Sequence, residues 1–114
     1  MEELPIINQT YEVYKLIVDI NNHCEKRWRY SLGQSLENTV LTGLENLIMA
    51  KNAPKPLKAN FLIKANAQLE IATLKLRLFL EFKVVNETKI FQTQAKLREI
   101  GRMLGGWMKS LQTV

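Results

Sequence analysis

Residues 56–83, PLKANFLIKANAQLEIATLKLRLFLEFK, decide the fold, because they form one long helical pattern with two apolar stripes. The first stripe consists of Phe61, Ala65, Leu69, Ala72, Leu76 and Phe79. The second stripe consists of Ile63, Ala67, Ile71, Leu74, Leu78 and Phe82. The two stripes are offset by two residues, which is about 200° around a helix. One stripe suffices for a bundle core, so the other predicts a further apolar contact.

That further contact is either a wider core within the subunit or a neighbouring subunit, and we favour the subunit. The candidate interface residues are Ile63, Ile71, Leu74, Leu78 and Phe82.

Three more helical segments flank this one, joined by short polar stretches. Asn8 or Thr10 is suited to cap the first helix and Ser31 the second, while Pro54 and Pro56 separate the second helix from the third. The predicted helices span approximately 8–26, 31–51, 56–83 and 89–112 of one domain, 1–114. Short joints favour neighbouring helices of opposite direction, so the predicted class is all-α, an antiparallel up-down four-helix bundle.

Composition agrees with one helical domain. The chain has 114 residues, 46% of them hydrophobic, with 5 Gly and 3 Pro, which excludes a multidomain enzyme, a disordered chain and a turn-rich β domain. Its single cysteine and the lack of a secretion signal indicate a cytoplasmic protein. Charged residues interrupt every apolar run before the ~20 residues that a membrane span needs, so no membrane contact is expected.

Positive charge is concentrated in the C-terminal half. Residues 58–114 hold ten basic and four acidic residues, whereas residues 1–57 hold six basic and seven acidic ones, and the net charge is +5.

The fourth helix has an apolar seam of Leu97, Ile100, Leu104, Trp107 and Leu111. Arg98, Arg102 and Lys109 lie on the opposite face, and we call these three residues the basic ridge. Lys26, Arg27 and Arg29 form a second basic group at the first joint.

Each of these features also has a simpler interpretation. A run of charge is most often a solvated face. Alternating arginines and aromatics at Arg27-Trp28-Arg29-Tyr30 favour nucleic acid, because guanidinium pairs with phosphate and rings stack on bases, but Trp28 and Tyr30 could instead close the end of the bundle. Gly101, Gly105 and Gly106 indicate close helix approach or, alternatively, access for a ligand or nucleic-acid backbone.

No catalytic, metal or cofactor site is predicted. His23 and Cys24 are the only histidine and the only cysteine, and adjacent helical residues point about 100° apart. We interpret Cys24 as a core residue and His23 as a boundary residue. The glycines of the last helix lack the Lys-Ser/Thr pair of a phosphate-binding loop.

Three segments resemble a known family. They are Arg29-Tyr30-Ser31-Leu32-Gly33-Gln34-Ser35, Leu76-Arg77-Leu78 and Glu99-Ile100-Gly101-Arg102-Met103-Leu104-Gly105-Gly106-Trp107-Met108-Lys109-Ser110. The chain is similar along its whole length to the Avd proteins, the accessory variability determinants of diversity-generating retroelements. The first two segments also occur in the related intervening-sequence proteins of large-subunit ribosomal RNA genes, whereas the last is typical of Avd. The proline that usually precedes the first segment is absent here, where Cys24 to Trp28 stand.

The resemblance implies a non-enzymatic bundle that assembles into a homopentameric ring and binds the reverse transcriptase of the retroelement together with RNA or DNA. That enzyme makes the mutagenised cDNA used in retrohoming, and a ring of five chains would carry about +25. Candidate residues for nucleic-acid or reverse-transcriptase binding are Lys26, Arg27, Arg29, Arg77, Lys96, Arg98, Arg102 and Lys109. The alternatives are an RNA-associated bundle of the intervening-sequence type and a purely structural oligomer.

Overall fold

The structure, a computed structural model, describes residues 4–85 and 87–112, and all regular elements within these ranges are helical. Helix α1 spans Pro5–Asn22, α2 Lys26–Trp28, α3 Gln34–Asn52, α4 Lys55–Glu81 and α5 Glu87–Gln112, with a π-helical turn at Arg29–Gly33. Because α2, the π-helical turn and α3 follow one another without a break, the described chain forms four helical rods. The predicted all-α class with four helices is confirmed.

Helix α1 begins earlier than predicted, at Pro5. Leu4 has extended backbone angles and Pro5 occupies the first turn, where its missing N–H costs nothing. Ile6 and Ile7 are buried, so the apolar pattern starts before Asn8. Thr10 lies inside the helix and donates its hydroxyl to the carbonyl of Ile6 at 2.8 Å. The prediction that Asn8 or Thr10 caps this helix is therefore wrong.

The second rod also begins early, at Lys26 instead of Ser31. Ser31 donates its hydroxyl to the carbonyl of Arg27 and so sits within a continuing helix, which contradicts its prediction as a cap. The apolar period fails over residues 26–30 because this stretch runs into the π-helical turn at Arg29–Gly33, which has more residues per turn than an α-helix. A search for apolar residues at a spacing of 3.6 therefore treats the stretch as the end of a helix.

The joint between α3 and α4 matches the expectation for Pro54 and Pro56. Ala53 is extended, Pro54 precedes α4, and Pro56 falls in its first turn. The ammonium group of Lys58 donates to the carbonyls of Ala50 and Lys51 at 2.8 and 2.9 Å. These contacts satisfy two of the carbonyls that the end of α3 leaves without helical partners.

The four rods surround one apolar core, since α3 packs on α4, α4 on α5, α5 on α1 and α1 on α3. In the first stripe Phe61 is half-buried, and the other five residues, from Ala65 to Phe79, are buried. In the seam of α5, Leu97, Ile100 and Leu104 are buried, while Trp107 and Leu111 are half-buried at its C-terminal end. None of the described helices is long and apolar enough to span a membrane.

Candidate functional site

The basic ridge is exposed on the outer face of α5. Arg98, Arg102 and Lys109 all point away from the buried seam, as predicted. The guanidinium of Arg102 lies 2.7 Å from a carboxylate oxygen of Glu99 on the same helix. Both side chains are more than half exposed. An exposed ion pair of this kind contributes little to folding stability and can readily be replaced by contacts to another charged group. The ridge thus presents three accessible cations with one neighbouring acid. Lys96 is exposed too, but two residues before Arg98 it lies about 200° away and does not extend the ridge.

The glycines of α5 are not explained by packing within the described chain. A Cβ atom added at Gly101, Gly105 or Gly106 would meet nothing within 4 Å. Gly101 lies with Arg98 and Arg102 along a shallow depression of about 420 Å³. Glycine inside a helix costs roughly 1 kcal/mol relative to alanine, and no packing contact among the described residues offsets this cost beside the ridge.

Arg29, a predicted contact residue, has a structural role in the subunit. Its Nε donates to the carbonyl of Asn21 at 3.1 Å, and its Nη2 donates to the carbonyls of Asn22 and Cys24 at 3.1 and 3.3 Å. These carbonyls close the C-terminal end of α1, where a cation also meets the negative end of the helix dipole. Most of the hydrogen-bonding capacity of this guanidinium is therefore used within the fold.

Trp28 closes the end of the bundle, whereas Tyr30 does not. The indole stacks on Phe82 with ring centroids 5.5 Å apart, and the guanidinium of Arg27 lies over the same indole at 4.6 Å. A base could stack on Trp28 only by displacing one of these partners. Tyr30 is 66% exposed and remains free of such contacts. Arg27 and Lys26 are exposed, so two of the three cations predicted here face solvent.

The second stripe is uncovered in the subunit. Ile63, Ile71, Leu74 and Phe82 are 57, 41, 55 and 53% exposed, and Leu78 is half-buried. The two stripes of α4 therefore differ in burial, with the first in the core and the second exposed. This excludes a wider core that includes the second stripe within the described chain. Arg77 lies between these residues on α4, 4.0 Å from Glu81, and belongs to this face instead of the ridge.

The thiol of Cys24 and the imidazole of His23 each have a separate backbone partner. Cys24 is buried, as predicted, and its thiol donates to the carbonyl of Ile20 at 3.3 Å. Burial raises the pKa of this thiol, which keeps it protonated and unreactive at neutral pH. His23 is exposed, with Nδ1 2.8 Å from the carbonyl of Asp19. Among the described residues no group of three His, Cys, Asp or Glu side chains could hold a metal.

Three lysines outside the predicted set of contact residues have defined partners. Lys58 caps α3, Lys89 pairs with Asp19 across α5 and α1, and Lys75 donates to Ser35 and Thr39 across α4 and α3. The Lys89 hydrogen bond holds the pKa of Asp19 below its ordinary value. One signal was present for Lys75, which interrupts the apolar run between Leu74 and Leu76.

With this geometry established, the comparison with protein families is decisive. The sequence profile described as bAvd-like matches residues 4–111, nearly the whole chain. The chain belongs to the bAvd-like family. The resemblance inferred from the three segments is thus confirmed. A search of curated proteins finds no match.

The segments that carry the likeness to this family contain both residues that hold the fold and residues that face outward. In the first, Arg29 and Gly33 build the subunit, since Gly33 is buried against Asn21 and Arg29 closes α1. In the last, Ile100 and Leu104 face the core, whereas Gly101, Arg102, Gly105 and Lys109 face outward. On the outward side, a Cβ atom at Gly101 or Gly105 would meet nothing within 4 Å among the described residues, and Arg102 pairs with Glu99 of the same helix.

Proposed function

We propose that this bAvd-like chain is a non-enzymatic accessory protein of a diversity-generating retroelement, which binds the reverse transcriptase and nucleic acid through its basic surfaces. In this proposal the four rods form an antiparallel bundle, and five subunits assemble in the cytoplasm into a ring. The family match supports the accessory role. The partner enzyme supplies the chemistry of cDNA synthesis.

The observation that carries the proposal is the outer face of α5. Three exposed cations lie beside three helical glycines, at each of which an added Cβ atom would meet nothing within 4 Å among the described residues. Guanidinium and ammonium groups bind phosphate, and bare helix backbone permits close approach of another chain. In a ring, this face would recur once per subunit and act as a multivalent surface.

The exposed second stripe supports assembly. Three large apolar side chains of α4, Ile63, Ile71 and Leu74, are exposed, and Leu41, Ile48 and Met49 of the neighbouring α3 are exposed as well. A monomeric chain would leave this area unburied, at roughly 25 cal/mol for each Å². A contact with further copies removes that cost.

The test is the triple variant Arg98→Gln, Arg102→Gln, Lys109→Gln. Its matched control is Lys15→Gln, Lys55→Gln, Lys64→Gln, which removes the same charge from exposed positions elsewhere. If the ridge binds phosphates, single-stranded RNA binds the ridge variant more weakly than the control. The slope of log affinity against log salt then flattens by roughly 0.7 for each phosphate that the variant no longer neutralises.

If the ridge binds the reverse transcriptase instead, RNA binding survives and co-purification with the enzyme fails. Equal behaviour of ridge variant and control in both assays would contradict the proposal. A reverse-transcriptase gene and a pair of repeats beside this gene would separate the proposal from an intervening-sequence role.

A further inference from the structure

A polar groove between α3 and α4 has a composition that neither the core nor the basic ridge accounts for. It is an open depression of about 450 Å³, lined by hydroxyl and amide side chains and a single cation, Lys75. No aspartate or glutamate lines it. We call it the Lys75 groove. It lies on a different pair of helices from the basic ridge.

The ammonium group of Lys75 is held by neutral oxygens. Its Nζ lies 2.6 Å from the hydroxyl of Ser35, 2.7 Å from the hydroxyl of Thr39 and 3.4 Å from the carbonyl of Ser35. The hydroxyl of Thr39 donates in turn to the same carbonyl, at 2.9 Å. None of the ion pairs within the described residues includes Lys75, so its charge is oriented but not neutralised. A bound anion would therefore add a charge partner that the described residues do not supply.

The rest of the lining supplies donors that are not in use. The side-chain amides of Gln34, Asn38 and Gln68 form no hydrogen bond within the part of the chain that the structure describes. Each amide offers two N–H donors. These amides come from both helices and line the same groove as Lys75, which suits a ligand that accepts several hydrogen bonds.

We propose that the Lys75 groove binds a phosphate group, with Lys75 as its charge partner and the amides of Gln34, Asn38 and Gln68 as donors. A tetrahedral oxyanion presents acceptors in every direction, whereas a protein carboxylate presents them at one end only. The contact of Lys75 to the Ser35 carbonyl is the longest of the three, and this carbonyl also accepts from Thr39, so this is the N–H that a bound anion would take over. The phosphate is either a free ion or a phosphodiester of a nucleic acid.

The first experiment uses inorganic phosphate as the probe. The amide resonances of the wild-type chain are followed by NMR during titration with sodium phosphate, against sodium chloride at equal ionic strength and pH. Lys75→Gln should weaken phosphate binding about tenfold or more, as expected for loss of a charge-assisted contact. Lys64→Gln, an exposed position on the same helix, is the control and should leave phosphate affinity unchanged.

A second variant guards against a folding defect in Lys75→Gln. Gln34→Ala combined with Asn38→Ala alters two exposed residues, leaves the contacts of Lys75 intact, and should also weaken phosphate binding. Phosphate affinity equal to wild type in this variant and in Lys75→Gln would overturn the proposal, as would a phosphate response no larger than that to chloride. A change of assembly mass in Lys75→Gln without any phosphate response would assign the groove to a protein contact instead.

The source of the phosphate is decided with a single-stranded oligothymidine. If the groove takes a phosphodiester, Lys75→Gln weakens oligothymidine binding relative to Lys64→Gln, and free phosphate competes. If the groove takes free phosphate, the two variants bind oligothymidine equally and only the phosphate titration differs. Both results support the site. Since Lys75→Gln and Lys64→Gln both keep the ridge intact and the titration needs no enzyme, a failure to differ in phosphate affinity is distinct from failure of the proposed function.

Discussion

Individual residues with similar chemistry serve different purposes in this chain. Arg27 and Arg29 are two positions apart, yet Arg27 lies over the indole of Trp28 at the surface while Arg29 donates to three carbonyls at the end of α1. Asn21 connects the same region, because its Nδ2 donates to the carbonyl of Gly33 and to Glu37 at 2.8 and 2.6 Å. The first joint is therefore maintained by a few polar contacts.

Gly33 is the residue on which this joint depends. A Cβ atom there would lie 2.6 Å from Oδ1 of Asn21 and 3.0 Å from the carbonyl of Trp28. Gly33→Ala should therefore destabilise the subunit by about 1–3 kcal/mol, as overpacking does. Urea unfolding followed by circular dichroism measures the change.

Gly43→Ala is the matched control, since its Cβ would meet Gln68 at an ordinary 3.5 Å. This variant should keep or raise the free energy of unfolding. Equal losses in both variants would show that Asn21 moves aside and that the joint is not tight.

The Asp19–Lys89 pair predicts a pH dependence. Hydrogen bonding to Lys89 holds the pKa of Asp19 below its ordinary value of 3.8. The folded state therefore binds the proton less readily than the unfolded state, so the pair stabilises the fold above that value. This contribution is lost as the pH falls through the lower, folded-state pKa.

NMR titration of the Asp19 carboxyl tests this directly. Lys89→Gln should bring the pKa of Asp19 back up toward 3.8. Lys15→Gln removes a charge from the same helix without touching Asp19 and should leave that pKa in place. An unchanged Asp19 titration in Lys89→Gln would mean that the two side chains do not pair in solution.

At the scale of an element, α5 combines a conventional buried seam with an outer face that lowers helix stability. Gly105→Ala should raise the free energy of unfolding by about 1 kcal/mol, since alanine favours the helix and meets no atom there. Ala95→Gly, at an exposed position of the same helix, should cost a similar amount. Thermal unfolding of the two variants checks both signs.

The same glycine variant separates two roles of α5. If bare backbone lets a partner approach, Gly105→Ala stabilises the subunit and weakens partner binding in the assays of the ridge variant. A variant that is more stable and binds fully would leave the glycines without a partner role.

On the scale of the whole molecule, the opposite faces of α4 should respond differently to a charge. Leu69 is 5% exposed, so Leu69→Asp buries an unpaired carboxylate and should unfold the subunit. Leu74 lies on the uncovered second stripe, so Leu74→Asp should keep the helical content and dissociate the assembly. Circular dichroism and light scattering together distinguish the two results.

Two outcomes would contradict this picture. A wild-type protein that is monomeric at micromolar concentration removes the subunit contact. Loss of helical content in both variants would mean that the second stripe is needed for folding, and not for assembly.

Residue spacing alone separated the two apolar stripes of α4, and the ridge of α5 from its seam, because periodicity is a property of one helix. Spacing left open whether the second stripe enters a wider core, and the packing of the four rods leaves Ile63 and Leu74 exposed. The Avd-like segments were recognisable from the sequence because each is a contiguous stretch.

The use of the polar groups depends on the packing of the helices. Lys75 meets Ser35 forty residues away, Lys58 reaches back to the end of α3, and Arg29 closes α1. Spacing along one helix carries no information about which neighbouring carbonyl or hydroxyl lies within hydrogen-bond distance. The start of the second rod was missed because a π-helical turn breaks the period without ending the helix. Whether a cation binds a partner or holds the fold is thus settled by the packing of the helices around it.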